Sequence, residues 1–303
     1  MRYPLFVVLF LLLLIPDNHT VLPMARPTRT ATPMLTRTAT PTVTQTRTPT
    51  ATRTATAART ATATRTATAI QTPPDQIWKG LAQAMNIPAD RELLGVTWYY
   101  DWSWCVETGC VPMSYYGDLL SACVPVALVF NEPNAIPPWG GPVDPTEAAR
   151  RVRAIEVQCP ATRLVVGNVS VDDWRPAGGW GNGYWWLWYF LGEYQTQTGQ
   201  VFSGALAAHC YERQNDYCFG QLTLAHTVCP NCEFWITELA RLDANAYQFG
   251  RMLSQLRPRF ARIAIYTNRQ PPPPCDWCLP WPVALVANDG TLTALGQLYA
   301  DEK

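Results

Sequence analysis

Two glutamates stand where buried strands are expected to end. Glu132 follows the apolar run of residues 128–130, and Glu238 follows the apolar run of residues 234–236. Because the carboxyl ends of parallel strands meet at one face of a closed barrel, such a fold would bring the two carboxyl groups together. A pair of this kind suits glycosidic bond cleavage, in which one group protonates the leaving oxygen and the other attacks or activates water. Either Glu taken alone could instead end a strand or cap the next helix.

The strands that would position these residues recur as short runs rich in β-branched and aromatic residues. Seven runs qualify: residues 94–99, 111–116, 126–130, 164–168, 205–209, 234–238 and 263–267. Most of them are apolar on both faces, which is typical of a parallel sheet covered by helices.

Helical segments lie between several of these strands. Residues 144–147, Asp-Pro-Thr-Glu, form a capping pattern that predicts a helix to about residue 158. A second helix is predicted from near Asp243 to just before Pro258, and an aromatic third over residues 183–194. The alternation predicts an α/β fold, either a closed (β/α)8 barrel or an open doubly wound sheet. Because no Gly-rich phosphate loop follows a strand, the barrel is favoured.

The chain of 303 residues has three regions of different composition. Residues 1–25 contain an apolar run at 5–15 that is short for a membrane span and typical of a secretory signal. No clear cleavage site follows it, so an uncleaved N-terminal anchor is the alternative. Residues 26–74 repeat Thr, Ala, Pro and Arg with no acidic residue, which predicts a disordered stalk. We interpret the stalk as a solvated spacer. The alternative is that its basic residues contact an anionic envelope or polymer.

The charged residues are divided unevenly between the regions. Residues 75–303 carry 22 acidic and 15 basic side chains, whereas the stalk carries seven Arg. An acidic domain argues against nucleic-acid binding, which requires a basic face. All 13 Trp residues fall in this domain, whose length suits one barrel.

Several segments resemble a known group of enzymes. Residues 130–133, Phe-Asn-Glu-Pro, and 235–238, Trp-Ile-Thr-Glu, resemble the two signature motifs of clan A glycoside hydrolases. Further segments resemble family 128 of that clan, whose members cleave β-1,3-glucans. These segments are residues 95–102, 111–113, 209–211 and 288–296. The resemblance covers about residues 78–300 and implies a (β/α)8 TIM barrel.

In that clan the acid/base ends the fourth strand and the nucleophile ends the seventh. The resemblance therefore implies that Glu132 is the acid/base and Glu238 the nucleophile. In the list of predicted strands, however, Glu132 follows the third strand rather than the fourth, so one earlier strand is missing. We therefore expect an additional first strand at residues 78–82, where the family carries a similar Gly-Leu-Ala segment.

The resemblance also implies roles for neighbouring residues. Asn131 would hydrogen-bond the sugar 2-hydroxyl, and Tyr211 would orient the nucleophile. His209 precedes Tyr211 by two residues and faces the same side of its strand, where it joins the site or is an ordinary buried histidine. Tyr266 ends the eighth strand and is assigned to the substrate. There the sequence departs from the family, which would place another aromatic residue at position 267 or 268.

Aromatic residues that follow the early strands are candidates for platforms on which sugar rings stack. They are Trp98, Tyr100, Trp102, Trp104 and Tyr115. Asn168, at the end of the fifth strand, is also assigned to the substrate. Ordinary packing is the alternative, and it is our interpretation of Trp185, Trp186 and Trp188. We interpret Asp172 and Asp173 as a cap rather than a subsite.

Ten cysteines lie in the domain, and an even number in an exported chain predicts disulfides. We expect the pairs Cys105–Cys110, Cys123–Cys159, Cys210–Cys218, Cys229–Cys232 and Cys275–Cys278. The last two Cys-x2-Cys spacings also fit a zinc site. In a barrel, however, one precedes the seventh strand and the other follows the eighth, so they would lie at opposite ends.

The sequence therefore predicts a monomeric, retaining glycoside hydrolase that cleaves β-glucan, with β-1,3 linkages favoured and no cofactor or metal. We expect it to be secreted or displayed at the cell surface, where its N-terminus could tether it to a membrane or envelope. A non-catalytic carbohydrate-binding barrel is one alternative, opposed by both Glu residues being present. A surface structural protein is another, supported only by the stalk.

Overall fold

The computed structural model describes residues 78–137, 140–171, 182–212, 217–271 and 282–302, all within one compact unit. The predicted signal segment, the stalk, Asp172, Asp173 and the Cys275–Cys278 pair lie outside the described residues. Within the described ranges, no helix combines the length and the hydropathy that a membrane crossing requires.

Eight parallel strands form one sheet that curves into a nearly closed barrel. They are β1 (Lys79–Ala82), β2 (Trp98–Tyr100), β3 (Met113–Ser114), β4 (Val126–Val129), β5 (Arg163–Ser170), β6 (Ala205–Glu212), β7 (Glu233–Arg241) and β8 (Arg262–Tyr266). The hydrogen-bonded order is β2-β1-β8-β7-β6-β5-β4-β3, and a single parallel bridge between Tyr99 and Cys110 joins its two ends. The predicted (β/α)8 barrel is confirmed, and the open doubly wound sheet is excluded.

The additional first strand is also present, and it settles the strand numbering. Since β1 occupies Lys79–Ala82, Glu132 follows the fourth strand and Glu238 lies in the seventh. The strand predicted at 94–99 is wrong in its first half, because Leu94 is the last residue of a helix. The strand predicted at 111–116 shortens to two residues, with a turn following at residues 115–116.

Six helices are described between and after these strands. They are α1 (Pro88–Leu94), α2 (Pro145–Gln158), α3 (Gly183–Thr198), α4 (Tyr217–Thr227), α5 (Ala246–Leu256) and α6 (Ala294–Asp301). The predicted start of α2 is confirmed, because the Asp144 side chain accepts a hydrogen bond from the Thr146 amide. Helix α5 begins later than predicted, since Asn245 rather than Asp243 caps it. Helix α1 was missed because it has seven residues and its N-cap, Ile87, offers no capping side chain.

The barrel interior is filled with two tryptophans facing small residues. The rings of Trp98 and Trp235 lie 5.2 Å apart and pack with alanines of β6 and β8. A Cβ atom on Gly80 would lie 2.2 Å from the Trp98 ring, so only glycine leaves room for that ring. This packing closes the inside of the barrel and leaves the polar groups to the carboxyl ends of the strands.

Four of the five expected disulfides lie among the described residues. They are Cys105–Cys110, Cys123–Cys159, Cys210–Cys218 and Cys229–Cys232, as predicted. Cys123 precedes β4 and Cys159 precedes β5, so their bond ties the amino-terminal ends of two neighbouring strands. The Cys229–Cys232 bond leaves no thiolate for zinc at that motif.

Candidate active site

Glu238 is a buried carboxylate surrounded by hydrogen-bond donors from two strands and one loop. Its Oε1 accepts from the Tyr100 hydroxyl at 2.9 Å and from the Trp102 indole N–H at 2.8 Å. Its Oε2 accepts from the Tyr211 hydroxyl. We call Tyr100, Trp102 and Tyr211 the donor set. Three donors aimed at two oxygens hold the carboxylate of Glu238 in one orientation.

The tyrosines of the donor set remain protonated, because burial penalises the charged phenolate. Desolvation, followed by the negative charge of Glu238, raises the pKa of Tyr100 and of Tyr211 well above the ordinary value. The same two causes raise the pKa of Tyr266. Each hydroxyl therefore stays an O–H donor throughout the neutral range.

Glu132 is positioned by irregular backbone rather than by a regular strand. Phe130 and Glu132 both adopt left-handed backbone conformations, with φ of 72° and 42°. Non-glycine residues rarely occupy this region, and neighbouring contacts must hold them there. One such contact is the Glu132 amide, which donates to the Asn168 carbonyl at 3.0 Å.

Asn168 connects the backbone behind the two glutamates. Its side-chain amide donates to the carbonyls of Val129 and Phe130 at 3.2 and 2.9 Å. Its side-chain oxygen accepts from the hydroxyl of Thr237, the residue before Glu238, at 2.8 Å. Asn168 is 0% exposed, and its side chain bonds to the chain before Glu132 and to the residue before Glu238. It therefore holds these two segments at a fixed separation.

His209 lies between the two carboxylates. Its Nδ1 is 3.1 Å from Glu132 Oε1 and 3.4 Å from Glu238 Oε2. One ligand atom from each of the three residues lies within 4.8 Å of the others. The predicted strand-end pair is therefore assembled, with the histidine at its centre rather than as a distant core residue.

The same three atoms are close enough to converge on one divalent cation. Both oxygens of Glu238, however, already accept hydrogen bonds from protonated side chains, and a cation would have to displace these. This arrangement suits a carboxylate used directly in chemistry better than a metal ligand.

Aromatic rings, of which Trp102 and Tyr211 are partly exposed and Tyr266 is buried, border the glutamates. The Trp102 ring lies 5.9 Å from that of Tyr266, which lies 5.7 Å from that of Tyr211. On the opposite side, the Asn131 amide donates to the Tyr115 hydroxyl at 3.3 Å. Asn131, His209, Tyr211, Tyr115 and Tyr266 thus surround the carboxylates at one face of the barrel, where the sequence had placed them.

Four sequence interpretations are corrected. Tyr100 was predicted as a platform, but it is 0% exposed and its hydroxyl binds Glu238, so it presents no ring face to sugar. Trp98 is 3% exposed inside the barrel, so it packs against Trp235 instead of presenting a face to sugar. The buried amide of Asn168 binds the protein backbone, not a substrate. Trp102 was predicted only as a platform, and its N–H bond to Glu238 was missed because sequence spacing does not show which way a loop indole points.

A (β/α)8 barrel with two adjoining strand-end carboxylates and an aromatic rim defines a barrel of the glycoside hydrolase class. The chain belongs to the glycosyl hydrolase catalytic core family, whose model matches residues 81–299. No curated protein matches the chain.

Solved structures show the same fold. The chain is 24% identical, with a TM-score of 0.59, to a family 128 (subgroup II) endo-β-1,3-glucanase from Pseudomonas viridiflava, covering 75% of this chain and 98% of that one. It is 18% identical, with a TM-score of 0.56, to a subgroup VI exo-β-1,3-glucanase from Aureobasidium namibiae, covering 74% and 95%. A subgroup VII oligosaccharide-binding protein from Trichoderma gamsii is 16% identical, with a TM-score of 0.50, covering 75% and 95%. The family model confirms the glycoside hydrolase resemblance indicated by the motifs, and the family 128 structures share the fold.

Proposed function

We propose that this protein is a retaining glycoside hydrolase that cleaves β-1,3-glucan, with Glu238 as nucleophile and Glu132 as acid/base. The observation that carries the proposal is the approach of both carboxylates to one nitrogen of His209, at 3.1 and 3.4 Å. Retaining enzymes hold their carboxyl groups ~5–5.5 Å apart, whereas inverting enzymes leave ~6.5–9.5 Å for a water molecule. Carboxylate atoms within 4.8 Å of one another are nearer to the retaining separation than to the inverting one.

The reaction proceeds in two displacements. A carboxylate oxygen of Glu238 attacks the anomeric carbon, while Glu132 gives its proton to the departing glycosidic oxygen. The resulting glycosyl ester is then attacked by water, which loses its proton to Glu132 and releases Glu238 as a carboxylate. The three hydrogen bonds of the donor set keep Glu238 aimed through both steps.

The substrate class rests on the relatives with solved structures. Two of those described above are β-1,3-glucanases, one endo-acting and one exo-acting. The subgroup VII relative is an oligosaccharide-binding protein, which supports a non-catalytic sugar-binding barrel as the second candidate. The presence of both carboxylates together with the donor set favours catalysis over binding alone.

We also propose that the protein acts outside the cytoplasm. Four disulfides among the described residues fit an oxidising compartment. The apolar run at residues 5–15 supports export.

The purified full chain should be incubated with β-1,3-, β-1,4- and mixed-linkage glucans, and the first-formed product anomer read by NMR. We expect β-anomers from β-1,3-glucan, and no products from the isosteric Glu238→Gln variant. First-formed α-anomers would indicate inversion. Glucan binding without any products would instead support the sugar-binding candidate.

A further inference from the structure

The outer face of helix α3 carries large aromatic residues where polar ones are expected. Trp185, Trp188 and Tyr189 are 49%, 50% and 43% exposed, although Trp186 on the same helix is fully buried. Their rings are neighbours: the ring centroids of Trp185 and Trp188 lie 6.2 Å apart, and those of Trp188 and Tyr189 lie 5.0 Å apart. The packing interpretation of Trp185 and Trp188 is therefore wrong. A contiguous exposed aromatic patch of this kind marks an interaction surface.

A groove of about 510 Å³ begins at this patch, within the size range of ligand sites. Its α3 wall includes Trp188, Gly192 and Gln195, and its other wall includes Phe202 and Val228. Apart from the backbone of its own helix and its two chain neighbours, no atom lies within 4 Å of the position that a Cβ on Gly192 would occupy, so the groove is open at the middle of the helix. Since Phe202 and Val228 precede β6 and β7, the groove lies toward the end of the barrel opposite the carboxylates.

The charge of this surface limits what it can bind. Helix α3 carries a single charged residue, Glu193, and no Lys or Arg. Anionic membranes and nucleic acids are bound through basic side chains, so neither fits this helix. Within the described ranges the side chains of Glu193 and Gln195 make no hydrogen bond or ion pair, and both can meet hydroxyl groups. Aromatic faces beside one amide and one carboxylate, with no cationic side chain, complement a neutral polymer rich in hydroxyls.

We propose that this groove is a second polysaccharide site, which holds an uncharged β-glucan chain away from the reacting carboxylates. Trp188 supplies the stacking face, and Gln195 and Glu193 hydrogen-bond sugar hydroxyls. The site keeps the enzyme on an insoluble polymer while another segment of that polymer enters the active site. The choice of glucan rests on the proposed function; the existence of the groove does not.

The test measures binding of the full chain to insoluble β-1,3-glucan particles in a Glu238→Gln background, which prevents digestion. Trp188→Ala should lower the affinity about tenfold, the effect typical of losing an aromatic anchor. Gly192→Arg should lower it comparably by filling the groove, without removing any contact of the fold. The matched control is Tyr247→Ala, which truncates an aromatic residue on α5 that is 75% exposed, and it should bind like the parent.

In the otherwise active protein, Trp188→Ala should slow cleavage of insoluble glucan and leave cleavage of short soluble oligosaccharides unchanged. The inference is overturned if the parent does not bind the particles, or if Trp188→Ala and Gly192→Arg bind as tightly as Tyr247→Ala. If binding fails in this way and the protein still cleaves soluble glucan, the second site is refuted and the proposed function is not. Conversely, Trp188-dependent binding by a protein that cleaves no glucan would refute the proposed function and support the groove.

Discussion

The two glutamates meet at one histidine but are held in different ways. Glu238 lies within β7, a nine-residue strand whose pairing register shifts between Ile236 and Leu239, and side chains from outside that strand fix its carboxylate. Glu132 lies beyond the end of β4 in a left-handed backbone conformation, which the buried amide of Asn168 supports. The proposed nucleophile, Glu238, would form a bond at a fixed place, and hydrogen bonds restrain both of its oxygens. The proposed acid/base contacts His209 at its carboxylate, and a left-handed backbone conformation places it beyond the end of its strand. The predictions below test this difference, from the largest expected effect to the smallest.

The largest effect should separate the two carboxylates. Glu238→Ala removes the group that forms the glycosyl ester, so kcat should fall by about 10⁴–10⁶-fold on every substrate. Glu132→Ala removes the proton donor, which a substrate with a good leaving group hardly needs, so its first step should survive. Azide should then accelerate turnover of Glu132→Ala and give a β-glycosyl azide, detectable by mass spectrometry and NMR. If Glu238→Ala gave that azide instead, the two roles would be reversed.

Removal of the Asn168 side-chain amide should disturb Glu132 more than Glu238. Asn168→Ala leaves the carbonyls of Val129 and Phe130 without their buried donor, so the free energy of unfolding should fall by about 2–4 kcal/mol. Displacement of the acid/base should lower kcat on glucan by ~100-fold, with a smaller loss on activated aryl glycosides. Asn168→Gly is the matched control: it tolerates the positive φ of 47° but lacks the amide. Equal losses on both substrates in Asn168→Gly would show that Asn168 does not serve the acid/base in particular.

Removal of one donor should disturb Glu238 in a complementary way. Trp102→Phe keeps a ring beside Tyr266 but deletes the indole N–H on Glu238 Oε1. Attack by Glu238 is required for glucan and for activated glycosides. We therefore expect kcat to fall ~10–100-fold on both kinds of substrate. Steady-state kinetics on both substrates decide the matter. An increase in KM for glucan alone would return Trp102 to the role of a stacking platform.

The last prediction concerns stability at high pH, where no effect on activity at neutral pH is expected. Desolvation raises the pKa of Tyr100, Tyr211 and Tyr299 well above 10.0, so the folded state keeps protons that the unfolded chain loses. Their contribution is fully present below about pH 10 and is lost as the pH rises further, by up to ~1.4 kcal/mol per pH unit for each tyrosine. Urea unfolding between about pH 9 and pH 11 should show this decline, and Tyr299→Phe should make it less steep. Stability that is constant across this range would contradict the buried, protonated donor set.

Much of the fold could be read from the sequence because its signals are local. Apolar runs marked seven of the eight strands, β2 to β8, and the capping residues marked the start of α2. The first strand needed the family resemblance, since four residues are too few to show a period. Helix α1 was missed and β3 was overestimated for the same reason, because short elements are stabilised by their neighbours more than by their own pattern.

The sequence by itself determined the two glutamates, their strand ends and the residues beside them, because strand polarity in a barrel carries such positions to one face. Only the tertiary structure decided the directions of side chains. It turned Trp98 into the barrel, aimed the Trp102 N–H at Glu238, engaged Asn168 with the backbone and left Trp188 on the surface. These outcomes depend on residues distant in sequence, such as the room that Gly80 leaves for the Trp98 ring, and no local pattern contains them.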